Sequence, residues 1–278
     1  MIERIAISVL SENHQNKTRF INEHGLSLHI DIVDSNNHWT LIFDTGASNF
    51  FIYNAKQLGV EITNLDAVIL SHGHYDHTGG LEYIKGKTIY AHPQLFQKKY
   101  KKQDSIYTYI GIPHPKSYYE NTCQNKFIDI TSPTEILPNV WTVVSFPAPV
   151  LSRYFYIKDN NNYTPDTFQD ELMLVINMEQ GLIIISGCAH CGIISMIEYI
   201  QAWMSNKPIL GLFGGLHLYK ENKDILLSIG SQISNYKIGH IGLAHCSGNQ
   251  IKKYISGNVF DFNVGDKFVL DNKERGNT

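Results

Sequence analysis

The stretch Ser71-His72-Gly73-His74-Tyr75-Asp76-His77-Thr78-Gly79-Gly80 constrains this chain more than any other. Three histidines and an aspartate stand in the spacing H-x-H-x-D-H, directly after the apolar run Ala67-Val68-Ile69-Leu70 and directly before two glycines. Imidazole nitrogen and carboxylate oxygen are the usual ligands of zinc and its first-row neighbours, and a set this dense can hold more than one ion. A histidine-rich surface loop is the bland alternative. The metal site is the stronger expectation, and it requires further ligands from elsewhere in the chain.

Period-two alternation predicts strands at residues 5–10 and 26–33, and a third strand at 39–43 runs into Asp44-Thr45-Gly46. Asp44 reads either as a turn residue that caps the next helix or as a carboxylate that orients a metal-bound histidine. A short helix is expected at 54–59, a buried strand at 67–70, a helical turn at 81–84 and a strand at 87–91. Residues 94–102 read as helical, with Lys98, Lys99, Lys101 and Lys102 on a solvated face. The longer segment 94–131, rich in tyrosine and broken by Pro113 and Pro115, reads as an irregular lid or substrate wall. Strands resume at 140–144 and 154–157, separated by the proline-bearing 146–150, and 159–162 is a polar turn.

The second half is more regular. Strands at 171–176 and 181–185 pair across a turn, helices follow at 193–204 and 224–234, and apolar segments occupy 209–216 and 238–244. Three of these segments deliver histidine at or just past their ends: His190, His217 and His245. Open α/β sheets bind ligands outside the C-terminal ends of their strands, so these are the ligands that the 71–80 loop lacks.

Composition narrows the class. A net charge of −3 and a pI near 6.5 offer no general attraction to nucleic acid or to an anionic membrane surface, so nucleic acid is disfavoured as a partner. No apolar run approaches the ~20 residues of a membrane span, and the N-terminus lacks a signal-peptide pattern, so a cytoplasmic location and a small-molecule substrate are expected. Oligomeric state is open. Four cysteines are too few for a disulfide scaffold. Cys188-x-x-Cys191 at a helix start has the form of a redox pair, a reading set below that of a metal-site neighbour.

With Phe43-Asp44-Thr45-Gly46 before it, the 71–80 loop resembles the metallo-β-lactamase superfamily. Gly187-Cys188-Ala189-His190-Cys191-Gly192-Ile193, Gly214-Gly215-Leu216-His217-Leu218 and His245-Cys246-Ser247-Gly248 resemble, more narrowly, the branch containing an archaeal enzyme of methanopterin biosynthesis and its bacterial homologues. The resemblance covers nearly the whole chain. It implies an α/β fold, an αββα sandwich of two mixed sheets with outer helices, as one domain over residues 1–278. It also implies a divalent cofactor, zinc first, as one or two ions, with manganese, magnesium or iron as alternatives.

His72 and His74 match ligands of the first ion, Asp76 and His77 those of the second, and Asp44 the supporting aspartate. His190 is favoured over Cys188 to complete the first site. His217 is taken as the last ligand, while Asp76 and His245 are candidates for catalytic proton transfer or substrate contact and His245 an alternative ligand. The implied activity is a metal-dependent hydrolase or a pterin-related transferase acting on a small phosphorylated or cyclic substrate. A metal-loaded ligand-binding or sensor protein without turnover is the alternative.

Overall fold

Strands that are apolar on both faces have to be covered twice, and the chain does this by stacking four layers. A computed structural model describes residues 1–15, 17–147, 154–160 and 162–272. In the strands His38–Phe43 and Ala67–Ile69, Leu41, Phe43, Ala67 and Ile69 point into a central core, while Ile42 and Val68 pack against Phe51 and Ala55 of the helix Phe50–Leu58. The strands Met173–Met178 and Gly181–Ser186 repeat the arrangement. Leu174, Ile176, Ile183 and Ile185 join the same central core. Met173, Val175, Leu182 and Ile184 turn outward against the helices Ile193–Trp203 and Lys223–Asn235. Two sheet layers face to face with helices outside form the expected αββα sandwich.

Topology then collects the site. Ile2–Ser11, Ser27–Asp34 and His38–Phe43 pair antiparallel, after which Ala67–Ile69, Thr88–Ala91 and Lys126–Asp129 continue in parallel. In the second half Gly181–Ser186 is followed in parallel by Ile209–Gly214, His240–Leu243 and Val259–Asp261. Parallel strands present their C-terminal ends at one edge. Asp44, His72, His190, His217 and His245 all lie just beyond such ends.

The largest departure from expectation is at residues 94–131. Instead of a helix and irregular chain, Pro93–Phe96 forms one 3-10 turn, Lys98–Gln103 and Ile106–Tyr109 form a hairpin, and Lys116–Asn121 is helical. The hairpin joins Phe155–Asp159 and Asn162–Pro165 in a separate four-stranded sheet. Its tyrosines pack across strands, with Tyr107 stacked on Tyr163 at 3.9 Å between ring centroids and Tyr100 edge-on to Tyr109 at 5.4 Å. Strand alternation also corrects the lysine run: Lys99 is fully buried and Lys101 faces a cavity, while Lys102 lies over Tyr107. Residues 148–150 of the proline-bearing segment and residue 161 of the polar turn lie outside the described residues. Among the described residues no helix is long and apolar enough to cross a membrane.

His29, on Ser27–Asp34, gives the fold a pH dependence. Burial lowers its pKa to about 4, with Asp31 opposing and Lys267 adding. The folded protein therefore resists a proton that the unfolded chain takes up near 6.5. Stability is at its full value above pH 6.5 and declines as the pH falls towards 4, by up to about 3 kcal/mol. Denaturant unfolding of His29→Gln between pH 7 and pH 4 is expected to show a shallower acid decline than the parent. Identical declines would remove His29 as the cause.

Candidate metal centre

Asp44 organises the first half of the site. Immediately past its strand it adopts a left-handed backbone, φ 59°, which turns the carboxylate back over the histidine loop. Oδ1 accepts from the Ser71 amide at 2.7 Å, and Oδ2 accepts from Ser71 Oγ and from His77 Nδ1, each at 2.7 Å. With its proton given to Asp44, Ser71 Oγ accepts from His72 Nδ1 at 2.9 Å. Nδ1 protons fixed in this way leave Nε2 of His72 and His77 as the ligand atoms. Two glycines permit the close packing: a Cβ on Gly80 would strike the Thr45 carbonyl, and one on Gly187 would strike Ser71 Oγ.

One ligand atom each from His72, His74 and His190 lie within 4.8 Å of one another. His72 Nε2 and His74 Nδ1 are 2.9 Å apart. Burial holds all three imidazoles well below the usual histidine range, in the neutral form that ligation needs. Nε2 of His74, Nε2 of His190 and Nδ1 of His217 are buried without a hydrogen-bond partner. Orphaned buried nitrogens at the centre of a histidine cluster fit a divalent cation, because a cation satisfies lone pairs that nothing else in the cavity reaches.

Asp76, His24 and His245 form a second group. Asp76 Oδ2 lies 3.3 Å from His245 Nε2 and 3.2 Å from His24 Nε2. His245 is oriented by Asn13, whose Oδ1 is 3.0 Å from Nδ1, and its amide donates to Glu12 Oε1 at 2.7 Å. Burial opposes the charge on Asp76, but His77, His24 and His245 hold its pKa well below the usual carboxylate range. In the metal-free protein burial likewise opposes a charge on His77, yet Asp44 and Asp76 outweigh it and raise the pKa to about 9. A cation at His77 Nε2 has to displace that proton.

All of the residues singled out in the sequence, Asp44, His72, His74, Asp76, His77, Cys188, His190, His217 and His245, meet at this one edge. Their grouping differs in one respect from the expected one. His217 falls with Cys188 and His190, whereas His245, read first as a catalytic group, is the one beside Asp76 and His77. His114, the mid-chain histidine, is in none of these groups and stacks on Tyr118 at 4.0 Å. The redox reading of Cys188-x-x-Cys191 finds no pair: the sulfur 3.3 Å from Cys188 is that of Cys246, and the Cys191 thiol donates to the Phe168 carbonyl at 3.6 Å.

Supports without a local sequence signal complete the centre. Glu171 accepts the amide protons of His190 and Cys191 at 2.7 and 2.6 Å and so fixes the turn that presents His190. Burial, partly opposed by those two donors, raises its pKa to about 7. Lys99 Nζ donates to Asp166 at 2.7 Å and Asp170 at 2.9 Å, and Asp170 in turn accepts from the Gly73 amide at 2.8 Å, inside the histidine loop. A cavity of about 100 Å³ opens over the cluster, and Lys101, Tyr75, Ile110, Phe155 and Tyr219 complete its wall.

Comparison with known proteins agrees with this architecture. The profile of the metallo-beta-lactamase superfamily matches residues 32–94. A 7,8-dihydropterin-6-methyl-4-(beta-D-ribofuranosyl)-aminobenzene-5'-phosphate synthase of Methanocaldococcus jannaschii is 26% identical over 263 residues, 89% of each chain. An uncharacterized protein of the same archaeon is 29% identical over 272 residues, 91% of this chain and 97% of its own. The crystal structure of Tm1679, a metal-dependent hydrolase of the beta-lactamase superfamily, is similar with a TM-score of 0.83 and 31% identity, covering 96% of this chain and 99% of that one.

Proposed function

Because the chain belongs to the metallo-β-lactamase superfamily, we propose that it is an enzyme that holds two divalent cations, zinc first, and acts on a small phosphorylated or cyclic substrate. The observation that carries the reading is the pair of adjacent ligand groups at the sheet edge. His72, His74 and His190 would hold one ion, and Asp76 and His245, which group with His24, would hold the other together with His77, whose ring packs against that of His245. When bound, such ions make a water-derived nucleophile available near neutral pH and polarise a carbonyl or phosphoryl oxygen.

The chain's own groups do the remainder. Asp44 keeps His77 and, through Ser71, His72 in the ligating orientation. With one ion bound, Asp76 is the proton acceptor. His217 has an unpartnered Nδ1 and lines the cavity, so it is the group that hydrogen-bonds substrate or leaving group. Lys101 gives the cavity a cation beside aromatic rings, which suits an anionic substituent carried on a ring. The archaeal relative is named for making a compound of that kind, a dihydropterin joined to an aminobenzene that bears a ribose phosphate. That likeness favours pterin-related transfer or hydrolysis of a phosphorylated compound over action on macromolecules.

Metal stoichiometry measured together with turnover on phosphoesters, lactones and pterin diphosphates tests this reading. Two metal equivalents and a turnover that chelation removes and zinc or manganese restores are the expected result. Unchanged turnover after complete metal removal would refute it. Two metals with tight ligand binding and no turnover would make the protein a sensor instead.

A further inference from the structure

We propose that His24 is a substrate-contacting residue, whose imidazole N–H bonds an anionic oxygen of the substrate at the open side of the cavity. This rests on the two-cation reading above and extends it to a residue that holds no cation. His24 Nε2 lies 3.2 Å from Asp76 Oδ2, and His245 Nε2 lies 3.3 Å from the same oxygen. The two imidazoles, with ring centroids 4.9 Å apart, are not equivalent. The His245 side chain is 1% exposed and oriented by Asn13, whereas that of His24 is 60% exposed. An oxygen whose charge is shared with a cation is a weaker acceptor. Of its two neighbours, the exposed His24 is the one left to exchange Asp76 for an incoming anion.

The backbone presents His24 without help from the imidazole. On one side Glu23 Oε1 accepts from Ser11 Oγ at 2.9 Å and from the Ala47 amide at 3.2 Å, and Oε2 accepts from Ser48 Oγ at 2.6 Å. On the other the Leu26 amide donates to the Asp76 carbonyl at 3.1 Å, and a Cβ on Gly25 would strike that same carbonyl. The loop is thus clamped to the residue that carries the ligand carboxylate. A side chain mostly in water, on a backbone fixed to the site and lining its cavity, is placed for a ligand rather than for the fold. Among the described residues of the cavity wall Asp76 is the only carboxylate, while His24, His217 and Lys101 offer nitrogens beyond those assigned to the cations. A lactone brings one carbonyl oxygen to such a wall, whereas a phosphoryl group brings three equatorial oxygens that share its charge. The surplus of donors fits the phosphoryl group.

Inorganic phosphate is the probe, added to the full-length, zinc-loaded protein. Calorimetry measures its affinity, nitrogen NMR of histidine-labelled protein reads the imidazoles, and metal analysis gives the zinc content. The parent is expected to hold two zinc ions, to bind phosphate saturably and to show shifted His24 ring signals when phosphate is added, the signals being assigned by their absence from His24→Ala. His24→Ala is expected to keep both zinc ions and to bind phosphate about tenfold or more weakly, the loss of one hydrogen bond to a charged group. The proposal falls if His24→Ala binds phosphate within about twofold of the parent, if the His24 signals of the parent do not move, or if a parent with two zinc ions binds no phosphate. It falls equally if His24→Ala loses a zinc ion, which would make His24 a support of the cation instead. A parent that takes up fewer than two zinc ions overturns the two-cation reading and this inference with it.

Discussion

Replacing His72 with alanine is expected to remove the first cation and to lower turnover by about three orders of magnitude or more, since a Lewis-acid centre contributes several kcal/mol to the reaction it serves. His72 sits in the middle of the cluster, with ring centroids 4.6 Å from His74, 4.3 Å from His77 and 4.9 Å from His190. Without it, His74 and His190 remain as two histidine donors, fewer than the three that a catalytic zinc site retains. The fold is expected to survive, because burial already disfavours charge on His72 in the metal-free protein and the ring makes only the Ser71 and His74 hydrogen bonds. Metal analysis, turnover and thermal unfolding of His72→Ala and His74→Ala provide the check. A folded His72→Ala protein with a full complement of tightly held metal would exclude His72 as a ligand. Full turnover in both variants would exclude metal-dependent catalysis.

How much of this centre the sequence disclosed depends on whether each residue is positioned locally or from afar. The spacing of His72, His74, Asp76 and His77 is local, and so is the strand-then-histidine pattern at His190, His217 and His245. The four-layer fold was legible because alternating apolar residues mark strands that need cover on both faces. Choosing between His217 and His245 needs the relative placement of two strand ends, and both residues have left-handed backbones, φ 53° and 52°, that tertiary packing imposes. His24 stands in a polar loop with no motif around it. It reaches Asp76 because the neighbouring Leu26 amide bonds the Asp76 carbonyl at 3.1 Å. The hairpin at 98–109 was missed for a related reason: Lys98-Lys99-Tyr100-Lys101-Lys102 has no apolar alternation, and its strands are held by tyrosine pairs and by partners more than 50 residues away.

Lys99 is the clearest case of a residue whose role lies wholly in distant contacts, and its replacement by methionine is expected to destabilise the protein by about 3–5 kcal/mol. Lysine is rarely fully buried unless it is paired. Here the Lys99 side chain is 0% exposed, and Asp166 and Asp170 are 3% and 1% exposed. Burial alone would lower the lysine pKa, but Asp170 and Asp166 outweigh it and raise it, so the ammonium is charged. Methionine fills the same volume and leaves two carboxylates facing each other without a counter-ion. Burial already raises the Asp166 pKa against the opposing effect of Lys99, so without the lysine this carboxyl binds a proton more readily in the folded than in the unfolded state, and the deficit is largest near neutral pH and shrinks as the pH is lowered. The damage also reaches the metal centre, because Asp170 holds the Gly73 amide between His72 and His74. Urea unfolding of Lys99→Met at neutral and acidic pH, paired with a zinc titration, measures both effects. Combining it with Asp166→Asn and Asp170→Asn removes the stranded charges and is expected to recover much of the lost stability. A Lys99→Met protein within about 1 kcal/mol of the parent at neutral pH would mean that the buried pair contributes no more than an exposed one.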